Sequence, residues 1–289
     1  MFCYPHTRKE RNNKKPIKKL GVIMITENEN ELNYNYSFSE FLNIQEIDFS
    51  KKDNFSYKSQ TVGNTDFYGT ENFKNSMDLL KNGQKEKPLE IRDFLKDVNF
   101  NSSSNEMILS YEGFQIDYSE YSSGNPECMI NFQSMENENK CITVFYNCSY
   151  NGHIDQTTIL NYGKMILSII SILESKNISI KLVTIDRTKD SNGKIYNIGI
   201  TIKDFFEVMD IDRITYCLAN NSFLRRNMFK MYEYLLDEQY RKEYLSSYGK
   251  AINELKIENE NDIYINSPYG NENKDYFINE LKRILEKYK

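Results

Sequence analysis

Hydrophobic positions are densest between Cys141 and Arg187, and their pattern predicts the unit on which the rest of the chain is built. Cys141-Ile142-Thr143-Val144-Phe145-Tyr146 is a continuous apolar and β-branched run of strand length, as expected for a strand covered on both faces. Asn147-Cys148-Ser149-Tyr150-Asn151-Gly152 is a turn cluster. Asp155 then stands where it can cap a helix carrying Ile159, Leu160, Met165, Ile166, Ile169, Ile170 and Leu173. The helix should stop near Asn177, and Ile178, Ile180, Leu182, Val183 and Ile185 begin a second strand. A β-α-β unit of this kind has parallel strands and a right-handed crossover.

Outward from this unit the signals weaken. Downstream, Asp190-Ser191-Asn192-Gly193 is a hairpin turn, and the alternation of Tyr196, Ile198, Ile200 and Ile202 makes a third strand antiparallel to the second. Asp204 to Asp212 reads as a linker with one helical turn, Arg213 to Asn220 stays open between strand and helix, and Ser222 is placed to cap a helix bearing Arg225 and Arg226. Gly249 breaks the helical region, Ile263-Tyr264-Ile265 is a short last strand, and Tyr276 to Tyr288 is a closing amphipathic helix. Upstream, Thr70 to Phe73 opens a short helix that Gly83 ends with a left-handed cap, and Pro88 begins another amphipathic piece. Met107 to Glu112 and Cys128 to Met135 are predicted strands, joined by the loop Tyr118 to Pro126, a candidate recognition loop or an ordinary surface loop. Leu32 to Lys58 is polar and aromatic without a period, and supports no assignment.

Composition removes several functions. A length of 289 residues allows one principal domain with an extension and a proper core. The net charge of −5 argues against a general nucleic-acid surface, except through the basic tail, residues 8–19. Arg8, Lys9, Arg11, Lys14, Lys15, Lys18 and Lys19 face one acid there, Glu10; the stretch is either a basic arm or a solvated extension, with Met24 an alternative start. Five scattered cysteines read as reduced, buried thiols of a cytoplasmic protein. Met165 to Leu173 is too short to cross a bilayer of roughly 30 Å, so no membrane anchor is expected. With His6 and His153 the only histidines, no multi-histidine metal centre can be built, and no glycine-rich phosphate loop is present.

The order of elements, a parallel β-α-β, an antiparallel strand, helices, a last short strand and a terminal helix, resembles the von Willebrand factor A fold, a doubly wound, mostly parallel α/β sheet of Rossmann-like type. The resemblance covers 140–289, leaving 1–31 as a flexible basic and acidic tail and 32–139 as an α+β N-terminal extension. The blocks Phe67-Tyr68-Gly69-Thr70, Gly124-Asn125-Pro126-Glu127-Cys128 and Leu224-Arg225-Arg226 with Phe229 are similar to those of uncharacterised phage and prophage proteins. Von Willebrand A domains often hold a divalent cation through an Asp-x-Ser-x-Ser motif at the end of the first strand. The matching positions here are Asn147, Ser149 and Asn151, so only Ser149 is unchanged, and the loss of the leading carboxylate weakens the case for magnesium. The family's further ligands have no secure counterparts; Asp186, Asp204 and Asp212 are the acids nearest in the pattern.

Candidate chemistry therefore gathers at two places. Ligands of open α/β sheets collect beyond the carboxyl ends of the parallel strands, which selects Asn147, Ser149, Asn151 and His153 as a mouth, with the following helix N-terminus able to favour an anion. Arg225 and Arg226, followed by Lys230, either grip a phosphate or carboxylate, or one of the two pairs with a core-edge acid or a helix end and the other is solvated. A Cys148–His153 nucleophile pair is conceivable in the same turn, but lacks a third, orienting group. The expectation is a cytoplasmic, phage- or prophage-derived binding protein that acts on a protein partner, interfering with a host defence system. The alternatives are a cation- or anion-dependent enzyme with its site at the end of the first core strand, and an oligomeric virion-associated structural protein.

Overall fold

The computed structural model describes residues 31–48, 57–85, 107–111, 115–132, 140–235, 248–253, 259–270, 272 and 274–288. Among them the chain opens with β1 (Glu31–Ser37), followed directly by α1 (Phe38–Gln45). Ser37 forms a capping box with Glu40: the Glu40 N–H donates to Ser37 Oγ at 3.3 Å and the Ser37 N–H to Glu40 Oε2 at 2.8 Å. A short turn at Lys58–Gln60, α2 (Thr65–Tyr68) and α3 (Phe73–Asn82) come next, α3 capped by Asn72 and ended by Gly83 at φ 73°. A small antiparallel sheet follows, from β2 (Met107–Ser110), β3 (Gln115–Ile116), α4 (Tyr118–Ser122) and β4 (Met129–Phe132), in the order β2-β4-β3. The Pro88 segment lies outside the described residues.

The expected β-α-β unit is present as β5 (Cys141–Asn147), α5 (Gln156–Ser175) and β6 (Ser179–Lys189), with β5 and β6 parallel. Asp155 caps α5 by accepting the Thr158 N–H at 2.7 Å. Burial alternates along β5: Ile142, Val144 and Tyr146 are buried while Thr143 and Phe145 are half-covered, so one face is sealed more completely than the other. The hairpin turn closes on Asp190, whose Oδ1 accepts the N–H groups of Asn192 and Lys194, and β7 (Ile195–Lys203) returns antiparallel to β6. The open segment is a helix, α6 (Ile211–Ala219), capped by Asp210. A wide π-type turn (Phe223–Met228) leads into α7 (Phe229–Leu235), and Ser222 does not cap it; its hydroxyl donates to Asn220 Oδ1 at 2.8 Å instead. Two short strands, β8 (Lys250–Ala251) and β9 (Ile263–Ile265), precede α8 (Lys274–Glu286).

The central sheet runs β1-β7-β6-β5-β9, with β8 joined to the far end of β6. Three of its pairings are parallel (β1 with β7, β5 with β6, β5 with β9) and those of β6 with β7 and β8 are antiparallel. This is a mixed α/β architecture with a mostly parallel sheet. Its edge strand β1 lies upstream of residue 140, so the sheet draws on both sides of the boundary expected there. Helices α5 and α6 approach closely because Gly163 faces Ala219; a Cβ on Gly163 would stand 2.7 Å from that of Ala219. Tyr162 of α5 meets Phe277 of α8 edge to face at 5.1 Å, bringing the last helix into the same core.

Candidate functional site

At the carboxyl end of β5 the chain must leave the sheet without stranding backbone groups, and Asn147 and Ser149 accomplish this. Asn147, fully buried, donates from Nδ2 to the Ile252 carbonyl at 2.8 Å and to Asn253 Oδ1 at 3.1 Å, while its Oδ1 accepts the Ser149 N–H at 3.1 Å and faces the Ser149 hydroxyl. Ser149 Oγ also lies 2.9 Å from the Arg187 carbonyl and accepts the Arg187 N–H at 3.3 Å. These two side chains thus sew β5 to β6 and to the strand-end segment 252–253. Two of the three side-chain oxygens that the sequence offered to a cation, those of Asn147 and Ser149, are turned toward protein donors. Asn151 and His153 sit exposed at the tip of the turn, so the four residues expected at one mouth divide into two buried ties and two surface groups. Among the described residues there is no group of three or more His, Cys, Asp or Glu side chains able to hold a metal ion.

The arginines depart from both readings of the sequence. Neither is solvated, and both are held by main-chain carbonyls: Arg225 is 2 % exposed and Arg226 fully buried. Arg225 donates to the carbonyls of Phe67 at 2.6 Å, Asn151 and Gly152 at 3.3 Å and Ile154 at 3.4 Å, and its guanidinium lies 4.1 Å from the Phe67 ring centre. Arg226 donates to Ser59, Thr61 and Thr70 carbonyls at 3.0, 2.8 and 2.7 Å. A guanidinium fork suits such convergent acceptors; the π-type turn presents two successive forks, Arg226 to the N-terminal segment and Arg225 to Phe67 and the turn after β5. Further along, Glu233 accepts the Ser59 N–H at 3.0 Å, the Ser59 hydroxyl at 2.5 Å and the Tyr248 hydroxyl at 2.6 Å.

Between the β5 turn and this helix lies a cavity of about 170 Å³, walled by Tyr150, Asp186, Thr188, Arg225, Phe67 and Tyr248 among others. Asp186 is fully buried in β6, and neither of its carboxylate oxygens has a hydrogen-bond partner. Burial pushes its pKa up to about 7, with the nearby Tyr232 hydroxyl pulling part-way back. The cavity sits at the strand-end location expected for ligands of such sheets, but its defining residue was legible only as one of several nearby acids. The predicted unit runs to Arg187 with Ile185 as its last apolar residue; β6 continues to Lys189, which puts Asp186 well inside a buried strand. An acid directly after Ile185, with no turn residue before Asp190, was the available signal. The Cys148–His153 pair is not assembled: Cys148 is 2 % exposed, with burial pushing its thiol well up, while His153 is exposed. Cys217 is buried likewise, but Cys141 is exposed and Cys128 only half-buried, contrary to the expectation for the cysteines as a set.

A second surface stands apart from the mouth. On the small sheet, Leu109, Tyr111, Ile116, Tyr118 and Tyr121 are large apolar side chains exposed to solvent. The Tyr118 to Pro126 segment is half helix rather than open loop, capped by Asp117, whose Oδ1 accepts the Ser119 and Glu120 N–H groups. Asn125 braces it by donating from Nδ2 to Glu120 Oε2 at 2.8 Å and from its N–H to the Glu120 carbonyl at 3.0 Å.

The chain belongs to a family described as a domain of unknown function (DUF7192), whose model matches residues 12–289. No curated protein and no solved structure matches it. None of the described helices is long and apolar enough to cross a membrane.

Proposed function

We propose that this chain is a binding protein that works by contact with another protein, and that the small sheet with α4 is its contact face. The observation that carries the reading is the display of Tyr111, Tyr118 and Tyr121, 68, 76 and 64 % exposed, beside Leu109 and Ile116. Single exposed apolar residues mean little, but several in one module mark interaction surfaces. Tyrosine suits that task because it offers large contact area at low conformational cost, and the Asn125–Glu120 brace pre-organises two of the three. The von Willebrand A-like assignment of the α/β unit and a phage or prophage source, with a cytoplasmic host target, belong to the same proposal. What supports the first is the succession β5-α5-β6, antiparallel β7, helices, β9 and α8.

The test is site-specific photo-crosslinking from position 119 or 122, exposed sites on α4 that leave both tyrosines in place, with position 282 on α8 as the control, followed by mass spectrometry of adducts formed in cell lysate. A protein captured from 119 and 122 but not from 282, and lost when Tyr118→Ala and Tyr121→Ala are added to the probe-bearing chain, supports the reading. Equal labelling from all three positions rejects it, and adducts with a second copy of this chain redirect it to self-assembly.

A further inference from the structure

The buried carboxylate of Asp186 has the Tyr232 hydroxyl near it, but neither oxygen is held within hydrogen-bond geometry. It lies in the wall of the strand-end cavity with both oxygens unbonded. An ionised group in that position is expensive unless something neutralises or hydrogen-bonds it. The chemistry of the walls decides what that something is. An anion is disfavoured, because the arginine in the cavity wall, Arg225, is engaged with the carbonyls of Phe67, Asn151, Gly152 and Ile154. A divalent cation calls for several oxygens and gains only one carboxylate here, with a guanidinium beside it. What fits a two-oxygen acceptor is a pair of parallel N–H donors, and the aromatic rims of Phe67, Tyr150 and Tyr248 suit a flat body. The volume, about 170 Å³, lies below the roughly 300–1,000 Å³ that enclose a whole drug-sized ligand, so the cavity takes a head group of one or two rings.

We propose that the cavity at the ends of β5 and β6 binds a small molecule through a planar head carrying two adjacent N–H donors, such as an amidine or the N–H edge of a guanine, with Asp186 as the acceptor. This site is independent of the tyrosine face and stands or falls without it.

The test is titration calorimetry of the full chain with guanosine and with benzamidine, which share the donor pair but differ in charge, and with adenosine, which lacks it. The expected result is saturable binding of guanosine or benzamidine, weakened about 30-fold or more in Asp186→Asn, and no comparable binding of adenosine. Which of the two binds tells a neutral base edge from a cationic head. Asp186→Asn removes a buried charge and is expected to fold, and Ala251→Leu, which fills the cavity from β8 with Asp186 intact, is expected to abolish binding as well. The proposal is overturned if neither donor-pair probe binds up to about 10 mM, if adenosine binds as well as guanosine, or if binding survives in either variant.

Discussion

Among the described residues, Asp186 and Glu233 are carboxylates buried near Tyr248, and the fold treats them in opposite ways. Glu233, 1 % exposed, accepts three hydrogen bonds, from the Ser59 N–H and hydroxyl and from Tyr248. Asp186, fully buried in the wall of the cavity that Tyr248 also lines, has neither oxygen held within hydrogen-bond geometry. Burial raises the pKa of both, but at Glu233 the hydrogen bonds and Lys230 pull it back, whereas at Asp186 only the Tyr232 hydroxyl does so. The contrast separates structure from candidate function. A satisfied buried charge ties elements together, here the N-terminal segment to α7; an unsatisfied one is a strain that stability alone does not explain.

The largest test of the contrast is therefore a pair of isosteric changes with opposite signs. Glu233→Gln puts an amide N–H₂ among donors and should destabilise the fold by roughly 2–4 kcal/mol, read as a lower denaturant midpoint at unchanged slope. A midpoint equal to the wild type's would mean that Ser59 and Tyr248 are not held through Glu233.

Asp186→Asn should do the reverse, and only at the pH where the wild type is charged. The folded pKa of about 7 lies above the ordinary carboxylate value near 4, so the native state holds a proton that the unfolded state has lost. Stability is then highest below roughly pH 4, falls as pH rises toward 7, and is level above that. Other groups titrate alike in both proteins, so the difference between them isolates Asp186. The advantage of Asp186→Asn over wild type should grow by roughly 2–3 kcal/mol between pH 5 and pH 8. A difference independent of pH would show that the carboxylate is already paired.

A smaller effect is expected at the neighbouring turn. Ser149→Ala removes a hydroxyl shared among Asn147, the Arg187 carbonyl and the Arg187 N–H, and should cost about 1–2 kcal/mol. Magnesium should leave the size of that loss unchanged if Ser149 is a tie between strands; a loss that grows in its presence would restore Ser149 as a ligand.

How much of this was legible depends on whether the signal is local. The β5-α5-β6 unit and the β6–β7 hairpin follow from runs, caps and a turn within a few residues of one another, such as Asp155 with Thr158 and Asp190 with Lys194. Strand β1 was not legible, because Leu32, Tyr34 and Tyr36 alternate weakly and their strand identity comes from pairing with β7 some 160 residues away. Arg225 and Arg226 look like any surface pair in sequence; their acceptors at Phe67, Ser59, Thr61 and Thr70 are main-chain carbonyls, which carry no side-chain signal. Asp186 was visible as an acid, but its lack of partners is a property of the surrounding space and appears only once the fold closes around it.

The tyrosine face gives the weakest effect on the fold. Tyr118 and Tyr121 project from α4 at 76 and 64 % exposure, so replacing both with alanine removes little buried area. The frame that presents them, the Asp117 cap and the Asn125–Glu120 bonds, is left intact. The double variant should unfold within about 0.5 kcal/mol of wild type, and circular dichroism with denaturant titration checks this before any binding experiment. Exposed surface that the fold does not need contrasts with Glu233, where truncation is costly and no outside partner is required. A large loss of stability would mean that the two rings pack against the body of the protein, leaving no tyrosine surface free for another protein.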